Sequence, residues 1–163
     1  MRFLRRFSGL AAILLAGATP VALADSIATF GTNEHLANGA RALFARDYDS
    51  GIELTLKGLN SEISPRNRTA ALSNLCAGYV GAERYEEAVA ACTEALELRS
   101  SNWRALNNRA IAHLGKGNYA AARQDVADGL ALHPDSRQLG KVQVMIEARD
   151  PMLLADNQVG KAD

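Results

Sequence analysis

An all-α fold, an α-solenoid of three helix-turn-helix units closed by a C-terminal capping helix, is predicted by three features of the 163-residue chain. The sequence superimposes on itself at a shift of 34 residues, small residues recur at fixed places within that period, and prolines mark the boundaries between units. A 48% apolar fraction is ample for the core of one compact domain.

The shift of 34 brings Leu72 onto Leu106, Asn74 onto Asn108 and Gly81 onto Gly115. It then brings Tyr85 onto Tyr119, Ala88 onto Ala122, Leu96 onto Leu130 and Leu98 onto Leu132, so the agreement spans a whole unit. A weaker copy lies upstream at a shift of 37, with Gly39 on Cys76, Tyr48 on Tyr85, Gly51 on Ala88 and Leu59 on Leu96. The three extra residues fit a loop around Ser64 to Arg68, where Pro65 is tolerated in a first helical turn. Helices are expected near 34–45, 49–61, 66–81, 85–98, 102–116 and 118–132. Antiparallel helices approach closely only where side chains are small. Gly39, Cys76 and Ala110 supply such positions on the first helices, and Gly51, Ala88 and Ala122 on the second. Leu59, Leu96 and Leu130 fill the gap to the next unit, and Tyr48, Tyr85 and Tyr119 are expected to close each hairpin at its turn. Beyond Pro134 a seventh helix, carrying Leu139, Val142 and Met145, fits a cap, which repeat arrays need for solubility.

A 34-residue helix-turn-helix period with Tyr85-Glu86-Glu87-Ala88 and Ala95-Leu96-Glu97-Leu98 resembles the tetratricopeptide repeat. The resemblance covers residues 32–148, with units at 32–65, 69–102 and 103–136, a cap at 135–148 and a flexible tail at 149–163. In the first unit Gly51 and Gly58 replace the usual alanines, lowering helix propensity by about 1 kcal/mol each. The resemblance implies a right-handed superhelix whose concave face binds a peptide or a partner protein, without saying which.

Ahead of the repeats, Arg2, Arg5 and Arg6 precede the apolar run from Leu10 to Ala18, and Ala22 and Ala24 flank Leu23. That order predicts a signal peptide at 1–24, cleaved after Ala24, and hence export to the periplasm or secretion. The run is shorter than the roughly 20 residues of a spanning helix and is followed by Pro20, so no stable membrane anchor is expected after cleavage. Eighteen basic and eighteen acidic residues cancel, and no basic stripe with interleaved aromatics offers a nucleic-acid footprint.

Catalytic patterns are missing from the sequence. His35, His113 and His133 lack metal-ligand spacing, Gly115-Lys116-Gly117 reads as a hairpin turn, and there is no nucleophile elbow, so no catalytic residue, metal or cofactor is expected. Arg109 stands where the preceding unit has Leu75, on an apolar stripe. An ion pair with Asp125 on the opposing helix accounts for it; the competing reading is an anion ligand. Cys76 and Cys92 lie seven residues before and nine after Glu83, which places them at similar heights on facing helices. In an oxidising compartment that spacing predicts a disulfide, and in a reducing one two buried thiols.

In the tetratricopeptide family the outward side of each first helix lines the groove. Aligning the units puts Asn33, Leu36, Ala40, Asn74, Ala77, Arg104, Asn108 and Ile111 there, with Lys141 joining from the cap. Amides can donate to and accept from a peptide backbone, and Arg104 and Lys141 can attract a carboxylate. The resemblance to chaperone-binding carboxylate clamps is partial, because Leu36 and Ala40 stand where such a clamp carries lysine and asparagine. Two functions remain open at this point: a peptide-binding adaptor or assembly factor, and an architectural subunit that packs on itself or on a larger complex.

Overall fold

The computed structural model describes residues 33–152. The segment expected to be a signal peptide and residues 153–163 lie outside the described residues. Within the described residues seven helices run in order: α1 (Glu34–Phe44), α2 (Tyr48–Leu59), α3 (Pro65–Gly81), α4 (Tyr85–Leu98), α5 (Trp103–Gly115), α6 (Tyr119–Leu132) and α7 (Arg137–Glu147). The helix starts follow capping chemistry. Ser64 accepts from the Asn67 amide ahead of Pro65 in the first turn of α3, Asn102 caps α5 through the Ala105 amide, and Ser136 caps α7 through the Leu139 amide. This last cap begins α7 two residues later than expected. The three hairpin turns share one device, a residue in the left-handed region at equivalent places: Arg46 (φ 64°), Glu83 (φ 59°) and Gly117 (φ 75°).

Within hairpins α1 packs on α2, α3 on α4 and α5 on α6, and each hairpin packs on the next through α2·α3, α4·α5 and α6·α7. The odd-numbered helices also touch in succession, α1 to α3, α3 to α5 and α5 to α7, which makes them one continuous layer. Two apolar clusters fill the array. One joins Ile52, Leu75, Tyr79 and Val80 to Ala88, Ala95 and Ala105, and the other joins Leu114, Ala122 and Val126 to Val142 and Ile146. The buried face of α7 is Leu139, Val142 and Ile146; Met145, expected there, is half-buried beside them.

The first hairpin is close-packed at its glycines. A Cβ on Gly39 would lie 2.6 Å from Thr55 Oγ1, 3.0 Å from Thr55 N and 3.2 Å from Gly51 O, and a Cβ on Gly51 would lie 3.0 Å from Leu43 N. Backbone atoms cannot swing aside, so these glycines are required by proximity in spite of their cost in helix propensity. Gly39→Ala is therefore expected to destabilise the fold by about 1–3 kcal/mol through overpacking, although alanine is the better helix former by about 1 kcal/mol. The midpoint of urea unfolding checks this, and an unchanged or raised midpoint would contradict it.

Two of the turn tyrosines reach from one unit to the next. Gly81, at the end of α3, has the Tyr48 ring of the preceding unit against it, and Gly115, at the end of α5, has the Tyr85 ring. Each ring thus covers a bare helix end one unit further along. The described residues just beyond α7 are still held to the array. Asp150 is buried, pairs with Arg123 on α6, and accepts a hydrogen bond from the Met152 amide (3.0 Å). Asp150 followed by Pro151 is a helix-start signal in its own right.

Candidate functional site

The odd-helix layer is where equivalent residues of successive units come side by side, and α3 is its centre, contacted by α1, α2, α4 and α5. That enclosure explains why every residue from 71 to 80 is buried. Ser73 and Asn74 on α3 correspond to Asn107 and Asn108 on α5, and all four are no more than 3% exposed. Asn107 Nδ2 donates to Asn108 Oδ1 at 3.2 Å. Ser73 Oγ, Asn107 Oδ1 and Asn108 Nδ2 are buried without a hydrogen-bond partner in this structure. Polar atoms buried in this way cost roughly 1–3 kcal/mol each; Ser73 and Asn107 are one unit apart on the helix layer, and Asn108 adjoins Asn107.

The residues expected to line the groove divide into three groups. Leu36, Ala40 and Ala77 are packed inside, at most 4% exposed, and are not available to a ligand. Leu36 faces α2, where its side chain fills the space left by Gly58, so the apolar stripe of α1 is turned into its own hairpin. Ala77 belongs to the enclosed run of α3. Asn74 and Asn108 lie in the inner layer but are fully buried, contrary to a solvent-facing placement. Asn33 is committed to structure: its Oδ1 accepts from the Leu36 amide and its Nδ2 donates to Ser61 Oγ, both at 2.9 Å. Ile111 is half-buried against both apolar clusters. Arg104 and Lys141 are exposed, on α5 and α7 respectively, and the Arg104 guanidinium lies 4.7 Å from the centre of the Trp103 ring. Ser73 and Asn107 were missed by sequence reading, although the same 34-residue shift relates them.

Behind this layer lies a charged cluster that ties two units together. Arg109 on α5 grips Asp125 on α6 with two parallel hydrogen bonds, Nε to Oδ2 at 3.0 Å and Nη2 to Oδ1 at 2.7 Å, and its Nη1 donates to Thr93 Oγ1 on α4 at 3.1 Å. His113 joins at the edge, with Nε2 4.0 Å from Asp125 Oδ2. Burial holds the His113 pKa below the ordinary histidine value of 6.5, outweighing the upward pull of Asp125. The unfolded chain therefore takes up this proton more readily than the folded one. Stability should fall as pH drops below 6.5 and level off only beneath the depressed folded value. His113→Gln should flatten that slope in thermal melts taken between neutral and mildly acid pH; an identical slope would show that the acid sensitivity arises elsewhere.

Cys76 on α3 and Cys92 on α4 are joined by a disulfide with Cα atoms 5.2 Å apart. It fastens the centre of the inner layer to its outer helix. Among the described residues no group of three or more His, Cys, Asp or Glu side chains is arranged to hold a metal ion, and no helix is long and apolar enough to cross a membrane.

Comparison with known proteins agrees with this geometry. A tetratricopeptide-repeat family model matches residues 79–145. The Heat shock protein STI1 of Saccharomyces cerevisiae is 28% identical over 105 residues, which is 64% of this chain and 18% of the yeast protein. The second TPR domain of human RPAP3, solved in complex with the HSP70 peptide SGPTIEEVD, is 25% identical with a TM-score of 0.63, over 69% of this chain and 92% of that one. The first TPR domain of human RPAP3 superimposes with a TM-score of 0.65 at 19% identity, over 76% of this chain and 92% of that one, a likeness of fold alone.

Proposed function

Because the chain is a tetratricopeptide-repeat protein, we propose that it is a non-catalytic module that binds a peptide or protein segment along the inner layer, and that it works after export. The observation that carries this reading is the continuous layer of odd-numbered helices, which brings equivalent positions of successive units side by side and leaves Arg104 and Lys141 exposed on it. Related domains that hold chaperone peptides, such as that of human RPAP3, support the choice of ligand class. Export is supported by the signal-like order of residues 1–24 and by the Cys76–Cys92 bond, since disulfides persist in oxidising compartments.

Peptides selected from a random displayed library, followed by mapping of amide shifts in the labelled protein, test the reading. Perturbations are expected at Ser73, Arg104, Asn107 and Asn108. Perturbations confined to α2, α4 and α6 would move binding elsewhere. Failure to select any peptide, together with a solution mass above that of one chain, would favour the architectural role instead. Mass spectrometry of protein from the exporting cell checks the export proposal, with Asp25 expected as the first residue.

A further inference from the structure

We propose that residues 153–159 of this chain seat Leu153 and Leu154 in the apolar cleft between α6 and α7, and so supply the second helix of a fourth, shortened unit. The cleft has a volume of about 390 Å³ and takes its apolar lining from Val126 and Leu130 on α6 and Ile146 on α7. The inference is independent of what the inner layer binds. Register identifies the cleft as a helix seat. A shift of 34 brings Asn102 onto Ser136, both of them helix caps, and Ala105, Asn108 and Ala112 onto Leu139, Val142 and Ile146, all of them buried. α7 therefore stands where the first helix of a further unit belongs. The same shift carries Thr93, Arg109 and His113 onto Ala127, Gln143 and Glu147, which line the cleft. One unit earlier that place is covered by a second helix, α6, whose Asp125 accepts from Arg109 and lies beside His113, while Arg109 reaches Thr93. At the end of the array the charge of Arg109 is replaced by neutral Gln143, which donates to Glu147 on its own helix at 3.0 Å. This seat calls for apolar side chains where the earlier one takes a carboxylate.

The chain is delivered to the rim of the same cleft. After α7 it turns at Ala148 and Arg149, and Pro151 and Met152 are already helical. Asp150 caps this start by accepting from the Met152 amide, with Pro151 in the first helical position as Pro65 is in α3. The Asp150 amide donates to Ile146 O at 2.8 Å and its carboxylate pairs with Arg123, and both of these partners line the cleft. A carboxylate only 2% exposed is costly to bury without such a partner, and the pairing fixes where the new helix begins. Length and pattern agree with the seat. Seven positions along α6 separate Arg123 from Leu130, about 10 Å of helix, and seven separate Met152 from Val159. Met152 is 70% exposed. A helix continuing from it carries Leu153 and Leu154 about 100° and 200° further round, away from the exposed side, and returns Asp156 to that side. The array is then closed by its own chain, and its end offers no apolar cleft to a second copy.

Nuclear Overhauser contacts between methyl groups of the intact protein, labelled at leucine, isoleucine and valine, test the proposal. The methyls of Leu153 and Leu154 are expected to show contacts with those of Val126, Leu130 and Ile146. Leu153→Asp together with Leu154→Asp should abolish these contacts and shift the Val126, Leu130 and Ile146 resonances, while the helical circular dichroism of the seven helices is retained. Met152→Asp places the same charge on the exposed side and should leave the contacts in place. Absence of the contacts in the parent overturns the proposal, as does their loss in the Met152→Asp variant. Contacts that appear only between differently labelled copies in a mixed sample put a second copy in the cleft and overturn it as well. If the double aspartate variant does not fold, the parent and the Met152→Asp variant still decide the matter.

Discussion

Arg109→Ala is expected to lower the free energy of unfolding by about 3 kcal/mol or somewhat more. The reason is the state in which it leaves Asp125. That residue is only 3% exposed, and its two oxygens are both engaged by Arg109. Removal of the arginine strands a carboxylate in the core, and burial keeps His113 beside it largely neutral at pH 7. The guanidinium also spans α4, α5 and α6 through Thr93 and Asp125, so the loss is felt at the junction of the second and third units. Asp125→Asn should cost less, because an amide can be buried without a charge. Combining Arg109→Met with Asp125→Leu should recover part of the loss, since a buried pair replaced by apolar groups of similar size is often tolerated. Denaturant unfolding of the three variants decides the matter. If Arg109→Ala unfolds at the same denaturant concentration as the parent, the pair does not hold the hairpins together.

Loss of the Cys76–Cys92 bond is expected to cost roughly 3 kcal/mol, the chain-entropy value for a loop of about this length. The two residues are 16 apart in sequence and both are fully buried. With Ala88, Ala91 and Ala95 they belong to one apolar cluster, where the side chains are small and little apolar area is available to compensate. Their place on α3 gives the bond a second consequence. The inner layer carries Ser73 and Asn74 on that helix, so the double change Cys76→Ala, Cys92→Ala should loosen the binding face along with the fold. Calorimetry with and without reductant, beside amide hydrogen exchange of α3, measures both effects. An unchanged melting temperature after verified reduction would show that packing alone holds this hairpin. Retention of full protection on α3 would separate the binding face from the bond.

Much of the architecture is legible without coordinates because it is periodic. The 34-residue shift locates the helices to within a few residues, since helix starts are set by local capping groups such as Ser64 and Asn102, and turns by equivalent positions such as Glu83 and Gly117. The meeting of Cys76 with Cys92 and of Arg109 with Asp125 follows from the same arithmetic, because two antiparallel helices joined by a short turn bring residues equidistant from it to the same height. The groove was less legible. Helical periodicity says which residues share a stripe, but how many neighbours cover that stripe depends on the packing of several units. Leu36 turned into its own hairpin because Gly58 leaves it room, and Ala77, Asn74 and Asn108 are buried because odd helices touch along the whole layer.

The helical repeat, its register and its caps follow from the residue pattern, because all of them depend on contacts within one unit or on residues a few positions apart. Three features come from packing between segments: Gly39 and Gly51 are obligatory, Tyr48 and Tyr85 serve the following unit, and Arg66, Arg99 and Arg104 line one cleft. These are distances between segments up to 38 residues apart, as Arg66 and Arg104 are. They are set by how closely two backbones approach and by the angle at which units stack, quantities that a pattern of residue types constrains only loosely.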